Sequence, residues 1–280
     1  VLATKGNIMS KTVLITGTSS GLGRATAKLF SDRGWNVIAT MRSPESEREL
    51  TLRDNVLVTR LDVQDQASIT AAVASGLLHF GRIDALINNA GYGAYGPLEV
   101  TPLAKIRRQF DVNVLGVLAT TQALLPHFRQ NHAGVVVNVS SIGGRVAFPL
   151  GSLYHGAKFA LEGLSEALQY ELGAIGVRIK VVEPGGMATD FGGRSFDFNN
   201  DPSIDDYSKI VGDVMGAFGS LLAAGSTPEL IAETVFAAAN DETDTLRFEA
   251  GADAVELLAT RRSLDDASFF GGIKAQFGMA

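Results

Sequence analysis

The chain has 280 residues, 46% of them hydrophobic, which is enough for a sizeable buried core and too many for a disordered segment. Its formal charge of −6 supplies no basic footprint, so nucleic acid and anionic membranes are not expected as partners and a small molecule is. There is no cysteine for disulfides, thiol catalysis or thiolate metal sites, the four histidines form no ligand cluster, and no apolar run is long enough for a bilayer; the expectation is a cytoplasmic protein without a metal.

Residues 1–10 lack periodicity and lead into Met9-Ser10-Lys11; they read as a flexible tail, native or added, outside the fold. From Lys11 onward, short β-branched runs recur at Thr12–Thr16, Asn36–Thr40, Val56–Leu61, Ile83–Asn88, Val135–Val139 and Val177–Val182. Each is apolar nearly throughout, as a strand covered on both faces must be. Stretches with helical spacing lie between them, including Ala25–Arg33, Ser68–Phe80, Leu103–Gln130 and Phe159–Ile175. This alternation predicts parallel βαβ units. With no linker or long repeat dividing it, 11–280 reads as a single doubly wound α/β domain, a parallel sheet with helices on both faces.

Directly after the first predicted strand comes Thr16-Gly17-Thr18-Ser19-Ser20-Gly21-Leu22-Gly23, and a helix follows near Arg24. Glycines here allow a tight turn and close backbone approach to a pyrophosphate at the positive end of the helix. Gly17, Ser19, Ser20, Gly21, Leu22 and Gly23 are therefore candidates for a Rossmann-type dinucleotide site. The spacing departs from the usual G-x-G-x-x-G, and an ordinary strand-to-helix turn is the bland alternative. The second predicted strand runs into Ala39-Thr40-Met41-Arg42 without the acid that normally holds an adenosine ribose diol. Arg42 offers a planar fork to a 2′-phosphate, so NADP(H) is the expected cofactor; a solvated loop arginine is the alternative.

Two further stretches stand out. Tyr154-His155-Gly156-Ala157-Lys158 places a phenol and an ammonium four residues apart, on one face if helical, although the spacing alone also fits a packing pair. Phe191–Gly225 carries Phe191, Phe196, Phe198, Tyr207 and Phe218 among glycines and aspartates. It reads as a helical insertion packing on the core, as a lid at about 190–225 whose aromatic residues select bulky apolar substrates, or as both.

Thr16-Gly17-x-x-x-Gly21-x-Gly23, Asp62-Val63, Asn88-Asn89-Ala90-Gly91, Asn113, Ser140-Ser141, Tyr154-x-x-x-Lys158 and Pro184-Gly185, in that order along Lys11–Asp253, resemble the short-chain dehydrogenase/reductase family. Ala39-Thr40-Met41-Arg42, Lys158-Phe159-Ala160-Leu161-Glu162-Gly163 and Val182-Glu183-Pro184-Gly185-Gly186 are similar to its hydroxysteroid and retinol dehydrogenase branch. The resemblance implies that Asp62 and Val63 contact adenine and that Asn89, Ala90 and Gly91 turn their backbone to the cofactor. It adds Pro184 and Gly185 to the cofactor site, and Thr189 at the nicotinamide carboxamide. It makes Asn113 bend its helix and hold a water in a proton relay, Ser141 bond the substrate oxygen, and Lys158 bind the nicotinamide ribose.

The chemistry of the pair fits these roles. A tyrosine keeps its proton to about pH 10, and a lysine charge beside it should lower that value. Tyr154 would then pass a proton to a carbonyl oxygen as hydride reaches carbon, and take one back in alcohol oxidation. His155 should face elsewhere, as pocket wall or surface, and Ser140 reads as a packing hydroxyl. The expected function is NADP(H)-dependent interconversion of a ketone or aldehyde, bulky and apolar, with an alcohol, in the reducing direction. NAD-linked alcohol oxidation and non-catalytic dinucleotide sensing are the alternatives, the latter having no need of a proton relay. The resemblance also implies a homo-oligomer paired through the long helices Leu103–Gln130 and Phe159–Ile175.

Overall fold

The computed structural model describes residues 10–187, 195–223 and 225–279, with side chains omitted for 218–223. Strands β1 (Thr12–Thr16), β2 (Asn36–Met41), β3 (Val56–Arg60) and β4 (Ala85–Asn88) alternate with helices α1 (Gly21–Asp32) and α2 (Gln66–Phe80). A short strand β5 (Gly93–Tyr95) precedes α3 (Leu103–Phe110) and α4 (Gly116–Asn131), which a single π-helical turn at Asp111–Leu115 joins. Then come β6 (Gly134–Val139), α5 (Ser152–Gly173), β7 (Val177–Pro184), β8 (Phe196–Phe198), α6 (Ser208–Ala223), α7 (Pro228–Asn240), β9 (Arg247–Ala250), α8 (Ala252–Ser263) and α9 (Asp266–Gln276).

Seven strands form one parallel sheet in the order β3-β2-β1-β4-β6-β7-β9. The period-2 pleat explains why its central strands are largely apolar: Val13 and Ile15 point to one face, and Leu14 between them to the other. The first face is covered by α1 and α7 through Phe30, Ile231 and Val235. Ile69 of α2 and Leu124 and Phe128 of α4 cover the second. Because β1 pairs with β2 on one side and β4 on the other, chain order reverses there and a crevice opens at the carboxyl ends of the strands.

Several structural features add to the sequence expectations. The predicted helix Leu103–Gln130 is broken by the π-turn, and α5 begins at Ser152, so Tyr154 and Lys158 lie in its first turns. β9 joins the sheet edge, with Arg247 and Glu249 giving it no apolar signature. β5 and β8 form a separate two-stranded parallel sheet that ties the insertion back to the segment after β4, with Gly93 opposite Phe196 and Tyr95 opposite Phe198. Finally, a third apolar cluster lies outside the sheet, where Val146, Val214 of α6, Leu258 of α8, and Phe269, Ile273 and Phe277 at the carboxyl end of the chain pack together. Among the described residues no helix is long and apolar enough to cross a membrane.

Candidate active site

The loop after β1 is held by its neighbours before any ligand binds. The amides of Gly17 and Thr18 donate to the Thr40 carbonyl at 3.0 and 2.9 Å, and the Asn89 side chain donates to the carbonyls of Thr16 and Gly17 at 2.9 and 3.1 Å. The Thr16 hydroxyl in turn accepts from the amides of Asn89 and Ala90, each at 3.0 Å. Gly17 has φ +75, and a Cβ at Gly23 would lie 2.2 Å from the Gly17 carbonyl oxygen and 2.4 Å from Asn89 Nδ2. Side chains are thus excluded at Gly17 and Gly23 from a backbone cradle that leads into the start of α1.

A cavity of about 470 Å³ opens above this loop. Gly17, Ser19, Ser20, Gly21, Leu22 and Gly23 line one end with Arg42, Asp62 and Val63; Asn89, Ala90 and Gly91 line its floor, and Tyr154 and Lys158 the far end. Arg42 is exposed at the mouth. Its bare backbone and its arginine fit an elongated phosphate-bearing dinucleotide.

A second cavity, of about 360 Å³, adjoins the first, and Ser140, Tyr154 and Met187 line both. Its wall is largely apolar: Tyr95, Ile142, Phe148, Val214, Leu257 and Phe277 among others. Pro184 and Gly185, expected at the cofactor, line this second cavity. The reason lies in Asp253, whose carboxylate accepts from the Gly186 amide at 2.7 Å and would sit 2.1 Å from a Cβ on Gly185, drawing the chain after β7 toward α8. Thr189 and the tail residues 1–8 lie outside the described residues.

Tyr154 is half-buried where the two cavities meet, and Ser141 is hydrogen-bonded to it. Ser141 also caps the turn that follows it, accepting from the Gly143 amide at 3.0 Å. Lys158 is buried one helical turn on, its Nζ donating to the Val139 carbonyl at 2.9 Å and lying 5.8 Å from the Tyr154 ring centre. Burial holds the phenol above its ordinary value, with the Ser141 hydrogen bond acting the other way. Lys158 is pulled down to about 8, again by burial first. Burial and the Ser141 hydrogen bond thus act in opposite directions on Tyr154, while the Lys158 ammonium is directed at a backbone carbonyl.

Asn113 sits in the π-turn, 1% exposed. Its side chain donates to the Tyr92 carbonyl at 2.7 Å and accepts from the Tyr92 amide at 3.1 Å. The helix is irregular at this residue, as expected, but the side-chain amide is a strut for the backbone entering β5 and lines neither cavity. His155 is pocket wall: Nε2 accepts from the Phe148 amide at 3.1 Å, so the Nδ1 proton faces the Gly143 carbonyl at 2.9 Å.

The residues that sequence reasoning missed come from segments without a motif. Tyr95 stacks on Tyr154, Phe148 follows the turn after Ser141, and Phe277 arrives from the carboxyl-terminal helix. Of the insertion, Ser195, Phe196 and Asp197 line the first cavity and Val214 the second. Among the described residues, none of the five aromatic residues expected to select the substrate faces the apolar cavity; Phe191 and the Phe218 side chain lie outside the description.

A doubly wound sheet with a glycine cradle at its switch point and a tyrosine above a buried lysine defines a dinucleotide-dependent α/β protein. Residues 11–200 match the family model described as short chain dehydrogenase, and the chain belongs to that family of oxidoreductases. An uncharacterized oxidoreductase of Schizosaccharomyces pombe is 43% identical over 240 residues, covering 85% of this chain and all of that one. Estradiol 17-beta-dehydrogenase 1 of Rattus norvegicus is 39% identical over 193 residues, covering 65% of this chain and 56% of that one. Among solved structures, a short-chain dehydrogenase from Streptomyces avermitilis superposes with a TM-score of 0.82 at 33% identity, over 98% of this chain and 100% of that one. ElxO with NADP bound (TM-score 0.71, 26% identity) covers 86% of this chain and 98% of its own. The 3-ketoacyl-(acyl-carrier-protein) reductase from Brucella melitensis complexed with NADH (TM-score 0.73, 27% identity) covers 87% and 98%.

Proposed function

We propose that this oxidoreductase uses NADP(H) to reduce a bulky, apolar ketone or aldehyde to an alcohol, with Tyr154 as the proton donor. The observation that carries the reading is the position of Tyr154, lining both a polar cavity with a phosphate cradle and an apolar cavity beside it. A nicotinamide dinucleotide in the first cavity would supply the hydride. The cradle from Gly17 to Gly23 would hold its pyrophosphate, Arg42 its 2′-phosphate, and Lys158 its nicotinamide ribose. Ser141 would hold the substrate oxygen while Tyr154 passes it a proton. For the cofactor, one solved neighbour carries NADP and another NADH. Arg42 in the lining of the first cavity, after a strand whose end carries no acid, favours the former here.

Within the same reading, 11–280 acts as one unit, and the described part of the insertion covers both cavities, β8 at the first and α6 at the second. Pairing of copies through the long helices has its support in Leu103, Leu115, Phe159 and Tyr170, which are 59%, 55%, 47% and 78% exposed. The test is a panel of carbonyl compounds assayed with NADPH and NADH on the parent and on Tyr154→Phe. Turnover should fall by ~10² to 10⁴ in the variant while NADPH binding persists. Near-normal turnover would overturn the mechanism.

A further inference from the structure

Between β6 and α5 the chain runs through 140–151 without a strand or an α-helix, and Ile142, Gly143, Phe148 and Pro149 of this loop line the apolar cavity. Leu150, near its end, has φ +61, a conformation that side chains rarely adopt. The course of the loop is therefore imposed by its contacts. The central contact is His155, 3% exposed. Its Nδ1 faces the Gly143 carbonyl at 2.9 Å and its Nε2 accepts from the Phe148 amide at 3.1 Å, so one ring bridges two points of the loop five residues apart. Two glycines make room for it: a Cβ on Gly143 would lie 2.8 Å from Nδ1, and one on Gly151 2.5 Å from Nε2. The rings of Phe148, Tyr154 and Tyr95 surround it, with centroids 5.5, 5.7 and 6.2 Å away. The Gly143 amide in turn donates to Ser141 Oγ at 3.0 Å. An apolar ring could fill the same space, but it would take these partners from the Gly143 carbonyl and the Phe148 amide.

We propose that His155 is a positioning residue for the substrate: its imidazole clamps Gly143 to Phe148 and thereby sets the wall of the apolar cavity beside Tyr154. The inference rests on the oxidoreductase reading above, in which that cavity holds the carbonyl compound. The clamp works in one protonation state. The Phe148 amide can only donate, so Nε2 must be bare, and the proton on Nδ1 then serves the Gly143 carbonyl. A second proton, on Nε2, breaks the Phe148 bond and frees that part of the wall. The titratable groups packed on the ring are the phenols of Tyr95 from β5 and Tyr154 from α5, which do not titrate near the histidine range. Asp253 and Glu256 of α8 line the same cavity, and Arg145 of the loop is paired with Glu183.

The test is steady-state kinetics on a bulky aromatic ketone at saturating NADPH, with NADPH binding followed separately by fluorescence. His155→Phe keeps a ring and loses both hydrogen bonds. At neutral pH its KM for the ketone should rise about tenfold with kcat within about twofold, the pattern of binding lost equally from ground and transition states. NADPH affinity should not move. His155→Gln, whose amide can still accept from Phe148, should recover most of the loss. In the parent, KM should be flat at neutral pH and climb as pH falls through the folded value, which burial sets below the ordinary histidine value of about 6.5. Both variants should lack that climb, whereas His127→Gln, which alters a histidine of α4 bonded to Ile83, should keep it. A parental KM in His155→Phe, accompanied only by a lower melting temperature, would overturn the proposal and leave the imidazole as packing. Should His155→Phe not fold, an acid climb in His155→Gln equal to that of the parent would overturn it as well. Near-normal turnover in Tyr154→Phe would instead overturn the reading beneath it.

Discussion

The rings of Tyr95 and Tyr154 stack with centroids 5.5 Å apart and planes inclined by 30°. The contact joins the small β5 and β8 sheet to the proposed proton donor, because Tyr95 also packs on Phe196, with centroids 5.2 Å apart, and Phe196 on Phe198. Tyr154 is thereby braced by Tyr95. Tyr95→Ala should cost about 3 kcal/mol of stability, typical of a buried aromatic truncated to alanine, and lower turnover about tenfold by freeing the Tyr154 ring. Denaturant unfolding and steady-state kinetics measure the two effects; intact turnover at reduced stability would make Tyr95 packing alone.

Arg42 lies at the mouth of the first cavity, where an adenosine 2′-phosphate would emerge. Arg42→Asp replaces attraction by repulsion and offers a carboxylate to the ribose diol. The ratio of kcat/KM for NADPH over NADH should drop by at least ~10-fold. An unchanged ratio would mean that other groups read the phosphate.

Burial holds the His155 pKa below the ordinary histidine value, with the hydrogen bond to the Gly143 carbonyl acting the other way. The unfolded chain therefore takes up a proton before the folded one does. The contribution is present above the unfolded value of about 6.5 and is lost as pH falls through the folded value. Melting temperature should decline over that window because protonated Nε2 can no longer accept from the Phe148 amide. His155→Gln should flatten this part of the profile; an unaltered slope would assign it to other groups.

Phe148, near the middle of the chain, and Phe277, near its carboxyl end, lie with ring centroids 6.2 Å apart, and both line the apolar cavity. Phe277→Ala should raise KM for an aromatic ketone about tenfold and leave a short aliphatic ketone nearly unaffected, because only the larger substrate fills the vacated wall. Equal losses on both, together with a lower melting temperature, would indicate that the ring serves the third apolar cluster and not selection.

Much of this arrangement is local and therefore legible from the residues. β1 to β4, β6 and β7 are apolar because both faces are covered, and that demand is written into each run. The cradle is legible because Gly17 and Gly23 answer to backbone crowding within one turn, and the Tyr154 and Lys158 pair because a helix brings residues four apart together. What tertiary structure decides is where distant segments meet. β9 carries Arg247 and Glu249, whose charges make sense only opposite Glu162 and Arg262, and β5 and β8 are too short to form without each other. Gly185 faces the apolar cavity because Asp253, 68 residues later, takes the Gly186 amide. Phe277 becomes a cavity wall only when α9 folds back beside Phe148. The setting of Tyr154 is likewise a tertiary property, since the burial that holds its phenol above the ordinary value is recorded in no spacing.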